Sequence, residues 1–337
     1  ENADILVAYG DAPFIDADTI TGSYEYHKNS GNDVTVVSAI VDNPTGYGRI
    51  IKENDAFKAI VEQKDCDSEQ AKVKEVSTGS RQKSLSGLLD KLGNNNAAGE
   101  YYLTDTVAVA EKKGVYTADS TDVVLGANSR SQLAALNEVA RKRKLAELMD
   151  EGVDIPLSDG IIIGKDVKIG HDTVILPNTI IKGKTVIGNG CEIGPNSYIT
   201  DCVIEDNVIL NNVQAHESKV DSCAKAGPFV HLRPNTHLHS GVKIGDFVEV
   251  KNSEIGINTC IAHLTYIGDS DVGKGVNFGC GCVTANYDGI KKYRTTIGDN
   301  AFIGCNTNMI APVTIGDNAT TAAGSTITKN VPADSLA

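Results

Sequence analysis

Between Ile163 and Ser197 an aliphatic residue returns at every sixth position: Ile163, Ile169, Ile175, Ile181, Ile187 and Ile193. Glycine follows four of the six, at Gly164, Gly170, Gly188 and Gly194. A period of six fits neither a strand, which repeats at two, nor an amphipathic helix, which repeats near 3.6. It fits a parallel β-helix, in which each hexapeptide forms one side of a coil and turns one aliphatic residue inward. The glycines allow tight corners, since only Gly takes positive φ without steric cost. The register drifts through Ile204, Val208 and Val220, returns at Ile255, Ile261 and Ile267, and runs again through Ile297, Ile303, Met309, Ile315, Thr321 and Ile327. More than a third of the chain is expected to be one solenoid.

The remaining length, out of 337 residues, leaves room for a second domain. A net charge of −13 argues against a nucleic-acid partner, which needs a basic face. No apolar run approaches the roughly 20 residues that cross a bilayer, and the start, Glu1-Asn2-Ala3-Asp4-Ile5, has no secretory pattern. A cytoplasmic protein is expected. The eight cysteines then read as free thiols, seven of them in or beside the six-residue register. Cys280-Gly281-Cys282 is too tight for a usual zinc knuckle. The lack of an initiating Met suggests that residue 1 is not the natural start.

Asp4 to Tyr9 reads as a fully buried parallel strand, with Gly10-Asp11-Ala12-Pro13 at its carboxyl end. Open α/β sheets place ligands there, so Asp11 is a candidate Mg²⁺ ligand. A turn cap is the alternative. A helix is expected over Asp18 to Asn29, strands over Val34 to Val41 and Ala59 to Glu62, and a polar turn leading into a helix over Asn94 to Asp105. This alternation implies a parallel α/β domain. Asn128 to Met149 has a helical pattern with a basic run, Arg141 to Lys144, taken as a solvated face, and Gly152 as its stop.

The runs Tyr9-Gly10-Asp11, Asn43 to Ile50, Ile60-Val61-Glu62-Gln63-Lys64-Asp65 and Asn94 to Asp105 resemble the uridyltransferase domain of the bacterial bifunctional N-acetylglucosamine-1-phosphate uridyltransferase/glucosamine-1-phosphate acetyltransferases. The resemblance continues through the solenoid. It implies that Tyr9, Gly10, Asp11, Gly48, Glu62, Ser77 and Asn128 contact the nucleotide sugar, and that Asp11 and Asn128 hold Mg²⁺. Two departures stand out. Ser77 replaces a sugar-contacting Asn of the family, and the family's Gly-rich loop, which cradles the UTP phosphates, is absent from these residues. Little uridyl transfer is expected of the chain as it stands.

Within the solenoid, chemistry is expected where the register breaks. Arg233 sits in a coil with no apolar reason for it, and Glu249-Val250-Lys251-Asn252 turns two charges away from the core. Ala262-His263-Leu264-Thr265-Tyr266 brings a His and a Tyr into coils otherwise built of Ile and Gly, and Asn286 to Lys292 leaves the coil as a loop. Arg233, Lys251 and Lys292 supply the basic cluster that a sugar phosphate needs in an acidic protein. The same family resemblance implies that His263 is the general base, that Arg233, Lys251, Tyr266 and Asn277 contact the amino-sugar phosphate with Lys292 nearby, and that Cys280, Asn286, Tyr287, Cys305 and Ala323 line the acetyl-CoA site. Cys280 and Cys305 stand where the family usually has Ala and Ser, and one family Arg at the CoA site has no counterpart before Ala337.

The expected architecture is thus a partial Rossmann-like nucleotidyltransferase domain (residues 1–126), a linking helix (127–152) and a left-handed parallel β-helix (153–337). The family implies a homotrimer acting in the cytoplasm with acetyl-CoA, glucosamine 1-phosphate and UTP or UDP-N-acetylglucosamine as substrates and product. An imidazole with an ordinary pKa of roughly 6.5 can take a proton from the amine at neutral pH. Cys305 as a covalent nucleophile is the alternative chemistry. His27, His171, His216 and His231 read as surface or corner residues. His237 and His239, alternating on one strand face, leave open a metal enzyme of carbonic anhydrase type, and a purely structural solenoid is the remaining alternative.

Overall fold

The computed structural model describes residues 4–83, 85–94 and 99–337. Asn95 to Ala98, part of the polar turn expected before Asp105, lie outside the described residues. The chain forms two compact units, 1–138 and 139–337.

In the first unit β1 (Asp4–Ala8), α1 (Ala17–Ser30), β2 (Val34–Ile40), β3 (Arg49–Glu53), β4 (Ala56–Val61), β5 (Glu75–Lys83), α2 (Leu85–Leu89), α3 (Thr106–Val109) and β6 (Lys113–Thr117) follow one another. Asp16 caps α1 by accepting from the Thr19 N–H at 2.7 Å, and Gly31, at φ 62°, ends it. The sheet runs β4-β3-β5-β2-β6, with β1 also on β5. It is mixed, and the expected parallel sheet is corrected: only β2 and β6 run parallel, whereas β5 is antiparallel to β1, β2 and β3. The cause is local. β3 and β4 form a hairpin through Asn54 and Asp55, both at positive φ, and a two-residue turn of that kind joins antiparallel strands only. β1 is exposed or half-buried along its length, not fully buried, because it pairs only with β5 among the described strands. His27 is no surface residue: it is 2% exposed and its Nδ1 lies 2.9 Å from Thr35 Oγ1.

The helix α4 (Arg130–Asp150) contains the boundary between the two units. Its last turns bury Leu145 and Leu148 on the solenoid core, and Gly152, at φ 94°, ends it. The basic run is only partly solvated. Arg141 donates to the carbonyls of Ser158 and Ile161, and Lys144 pairs with Glu147 at 2.7 Å.

From there the chain winds a three-faced parallel β-helix. Its first face holds ten strands, from Ile162–Ile163 to Thr326–Ile327, and its second and third hold nine each. The six isoleucines that announce the register are between 0 and 8% exposed. The drift after Ile199 is a shortening. Ile199 to Ile204, Leu210 to Ala215 and Ala215 to Val220 are steps of five between inward residues on neighbouring faces. The inward place expected for Val208 belongs to Leu210, and Val208 fills the corner before it. Corner hydroxyls close the backbone polar groups inside: Thr173 Oγ1 donates to Gly188 O at 2.8 Å, and Ser218 Oγ to His216 O at 2.8 Å.

Candidate active sites

A cavity of about 350 Å³ in the first unit gathers Tyr9, Asp11, Gly48, Glu62, Ser77 and Asn128, together with Thr45, Thr78 and Gln132. Six of the seven residues expected at a nucleotide-sugar site thus line one space; Gly10, beside Tyr9, does not. Two chain reversals bring them together. The turn after β1 carries Asp11, whose carbonyl accepts from the Ala127 N–H at 3.3 Å. The turn just before β3 carries Gly48, whose carbonyl accepts from the Ser77 N–H at 3.1 Å. A Cβ on Gly48 would stand 2.9 Å from Ile60 Cγ2, 3.1 Å from Ser77 Oγ and 3.3 Å from Glu62 Oε1, so glycine alone leaves the cavity floor open. Burial and the charges of Glu62 and Asp11 push the Tyr9 phenol above its ordinary pKa. Thr104 donates to Glu62 at 3.0 Å and links this cavity to a second one of about 420 Å³, lined by Tyr9, Glu62, Lys64, Tyr101 and Tyr102 among others. Among the described residues, no Lys or Arg lines the first cavity. Asp11 and Asn128 offer two oxygen donors to it, a set that fits magnesium's habit of one or two protein ligands plus phosphate oxygens and water.

The solenoid brings the remaining residues into two groups. The first lies where the first face turns into the second, around Asp269, a carboxylate that is 5% exposed. Asn252 donates to its Oδ1 at 2.5 Å, Asn286 donates to its Oδ2, and Lys251 Nζ stands 3.9 Å away. Burial alone would lift this carboxyl, but the two amides and the charges of Lys251 and Lys292 outweigh it and hold it below the ordinary carboxylate value. Lys292, beside Lys251, together with burial depresses the Lys251 ammonium and outweighs the opposite pull of Asp269. Arg233 pairs with Glu249 at 2.8 Å, and Asn286 reaches the Tyr266 hydroxyl at 3.5 Å. Gly268 permits this crowding, since a Cβ there would stand 2.3 Å from the Tyr266 hydroxyl and 2.7 Å from Asn286 Nδ2. The excursion after Asn286 is pinned by Asp288, which accepts from the N–H groups of Ile290 and Lys291, and by Arg294, which grips Asp271 and the carbonyls of Asn252 and Ser270.

The second group is a ladder at the corner between the third and first faces. His263, Cys280, Cys305 and Ala323 each follow an inward residue by two places, on four successive coils, after Ile261, Phe278, Ile303 and Thr321. With strands about 4.8 Å apart, the ladder spans roughly 14 Å. His263 is exposed, and its carbonyl accepts from Thr265 Oγ1 at 2.7 Å and from the Gly281 N–H. Asn277 is exposed on the same face. Cys305 is a free, exposed thiol. The strand Tyr266–Gly268, about 10 Å long, separates His263 from Asp269, and among the described residues no hydrogen bond or ion pair joins the two groups.

Sequence reasoning missed Asp269 and Asn252. It also missed the apolar ridge beside His263. At this corner the left-handed position is held by Asn178, Asn196, Asn212, Asn306 and glycines, but on three successive coils it is held by Phe229, Phe247 and Leu264, at φ 59°, 58° and 45°. These side chains are 54, 59 and 60% exposed, and the two Phe rings stack at 5.1 Å.

Comparison with known proteins bears on the family and the fold. Residues 294–329 match the family model described as bacterial transferase hexapeptide (six repeats). The chain is 47% identical to the bifunctional protein GlmU of Clostridium acetobutylicum, over 99% of its own length and 75% of the relative's. It is 48% identical to that of Fervidobacterium nodosum, over 100% and 75%. The chain therefore spans about three quarters of the relatives it matches. The UDP-N-acetylglucosamine acyltransferase of Francisella novicida overlays 52% of this chain and 65% of its own at 16% identity and a TM-score of 0.35, too loose a likeness to bear on function.

Proposed function

We propose a function from one premise, that the chain belongs to the bifunctional GlmU family: it transfers acetyl from acetyl-CoA to the amine of glucosamine 1-phosphate, and its first unit holds the nucleotide sugar of the following uridyl transfer. The observation that carries the first part is the pairing of a cationic corner, Arg233, Lys251 and Lys292, with a ladder that begins at His263. The corner matches a phosphate monoester. The ladder gives an extended pantetheine arm a run of small side chains, Cys280, Cys305 and Ala323, along which to lie.

In the mechanism His263 takes the proton that the amine gives up as its nitrogen attacks the thioester carbonyl. The tetrahedral intermediate then collapses, the C–S bond breaks, and CoA leaves as a thiol with a proton returned to sulfur. Lys251 and Arg233 hold the phosphate, while Asp269 positions Lys251 and Asn286. Tyr266 and Asn277 orient the sugar ring, and Asn286 and Tyr287 contact CoA. Because His263 and the cationic corner do not meet within one chain, the site is completed between copies, and we take the assembly to be a homotrimer. The ridge of Phe229, Phe247 and Leu264 is the kind of exposed apolar surface that such an interface covers.

In the first unit Asp11 and Asn128 would hold Mg²⁺, which when bound neutralises phosphate charge. Glu62, Ser77 and Gly48 form the sugar and base floor, with Tyr9 and Gly10 at its rim. With no basic residue among the described residues lining that cavity, the chain should bind UDP-N-acetylglucosamine yet turn over UTP poorly. Gly48→Val, which thrusts carbon into Ser77 and Glu62, should weaken UDP-N-acetylglucosamine binding at least about tenfold, or ~1.4 kcal/mol. Titration calorimetry would read this, with acetyl transfer unchanged.

The experiment that tests the acetyl-transfer reading follows thiol release from acetyl-CoA with glucosamine 1-phosphate and with glucosamine as acceptors. The phosphate ester should be preferred by at least about a hundredfold in kcat/KM, and Lys251→Ala should remove most of that preference by raising KM. Equal use of the two acceptors would defeat the assignment of the cationic corner.

A further inference from the structure

The second face of the solenoid carries a polar cluster that the reaction above does not use. Val220, Leu238 and Ile255 point inward on three successive coils. Their flanking residues stand outward in two ranks, Lys219, His237 and Glu254 in one, Asp221 and His239 in the next. Asp221 is 9% exposed. The rings of His237 and His239 lie 3.9 Å apart, centre to centre. His237 Nε2 is 2.9 Å from Asp221 Oδ1 and His239 Nδ1 is 3.2 Å from Asp221 Oδ2. The opposite nitrogens, His237 Nδ1 and His239 Nε2, stand 2.9 and 3.0 Å from the same oxygen, Glu254 Oε2.

Two of these contacts have hydrogen-bond geometry, His237 Nε2 to Asp221 Oδ1 and His239 Nε2 to Glu254 Oε2. Neutral rings, each with one N–H, satisfy both, and each then holds the lone pair of its other nitrogen against a carboxylate oxygen, His237 Nδ1 at Glu254 and His239 Nδ1 at Asp221. A divalent cation removes that repulsion. Placed between Asp221, His237 Nε2 and His239 Nδ1, with His237 in its Nδ1–H tautomer, it takes both lone pairs and one carboxylate oxygen and leaves both N–H groups facing Glu254. That is the common arrangement of metal-bound histidines, whose second nitrogen donates to a carboxylate that fixes tautomer and orientation. One ligand atom from each of the three residues lies within 4.8 Å of the other two, so a modest inward closure brings them to zinc-type bond lengths of about 2.0–2.2 Å.

We infer that Asp221, His237 and His239 form a binding site for a zinc-class divalent transition-metal ion, with Glu254 supporting both histidines. Two imidazoles and a carboxylate select zinc, nickel, cobalt or copper over magnesium or calcium, which take all-oxygen sets. Lys219 competes for the site. Its Nζ lies 2.9 Å from Asp221 Oδ1 but also 3.6 Å from Glu205, to which it can turn when the ion binds. The ligands and Glu254 come from three coils, so the ion ties successive rungs together. None of them belongs to the acetyl-transfer groups, so the site is a structural clamp independent of that chemistry.

The test is equilibrium dialysis of the chelator-stripped full chain against Zn²⁺, with Co²⁺ absorption as a second readout and melting temperature as a third. The expected result is one saturable Zn²⁺ per chain, a raised melting temperature, and Co²⁺ bands of a site with nitrogen and oxygen ligands only. His239→Gln should weaken zinc by at least about a hundredfold and Glu254→Gln by about ten- to a hundredfold, whereas Lys219→Gln should tighten it. Acetyl transfer by the stripped variants should match that of the stripped parent. The exposed thiols of Cys223 and Cys305 are the other zinc ligands to expect. Binding that survives the His237→Gln/His239→Gln pair, or Co²⁺ bands of thiolate character, would overturn the assignment. So would the absence of saturable binding.

Discussion

Replacing His263 by Ala should lower acetyl transfer by roughly 10²–10⁴, the usual cost of a lost general base, with the fold unchanged. Its residue is exposed, and its backbone carbonyl accepts from Thr265 Oγ1 and from the Gly281 N–H of the next coil. The loss should fall on kcat with little change in KM for either substrate, because the phosphate is held at Lys251 and Arg233 and the thioester further along the ladder. Raising the pH should recover part of the activity, since more amine is then already neutral. A variant that keeps activity within about tenfold across the pH range would show that the amine needs no base from this residue.

The second large effect concerns which chains build one site. His263→Ala should be nearly inactive alone, and Lys251→Ala nearly so at glucosamine 1-phosphate concentrations far below its raised KM. If every site takes its base from one chain and its phosphate grip from the next, mixed trimers of the two variants contain sites with both groups intact. Each mixed trimer, of either composition, then has one intact site in three, or about a quarter of all sites over the whole randomly mixed population. Co-expression followed by tandem-tag purification of the mixed species gives the measurement. No recovery would place a complete site within each chain and leave the apolar ridge without a catalytic reason to be covered.

Legibility of this chain in its sequence divides along contact distance. The isoleucine register was readable because one residue in six must be buried whatever its neighbours are. His263, Tyr266 and the loop after Asn286 were readable as interruptions of that rule. Asp269 was not, because its meaning comes from Asn252 and Asn286, each 17 positions away, which is one coil. A search at the coil spacing, pairing each polar residue with those 15 to 18 places on, would have found it, and would also have joined Asp221 and Glu254 to the two histidines. In the first unit β5 went unseen because it is a buried strand of polar residues, Ser77, Thr78, Arg81 and Gln82. Their partners come from elsewhere, such as the carbonyls of Val123 and Ile20. Without β5 the sheet reads as parallel, and with it the hairpin logic follows. The positions of Asp11 and Glu62 were legible from their motifs, but the cavity they share was not, because it needs both chain reversals.

Phe229, Phe247 and Leu264 hold a backbone shape that costs an ordinary side chain about 1–2 kcal/mol and glycine almost nothing. An isolated chain would therefore gain stability from glycine at these corners, and the rest of the same column already uses Asn or Gly. The gain would come with the removal of the ridge. A Phe247→Gly chain should melt higher as a separated protomer and yet assemble less tightly. A screen that selects only for thermal stability of the single chain would then steadily select against the enzyme, and these three corners mark where stability and assembly pull apart.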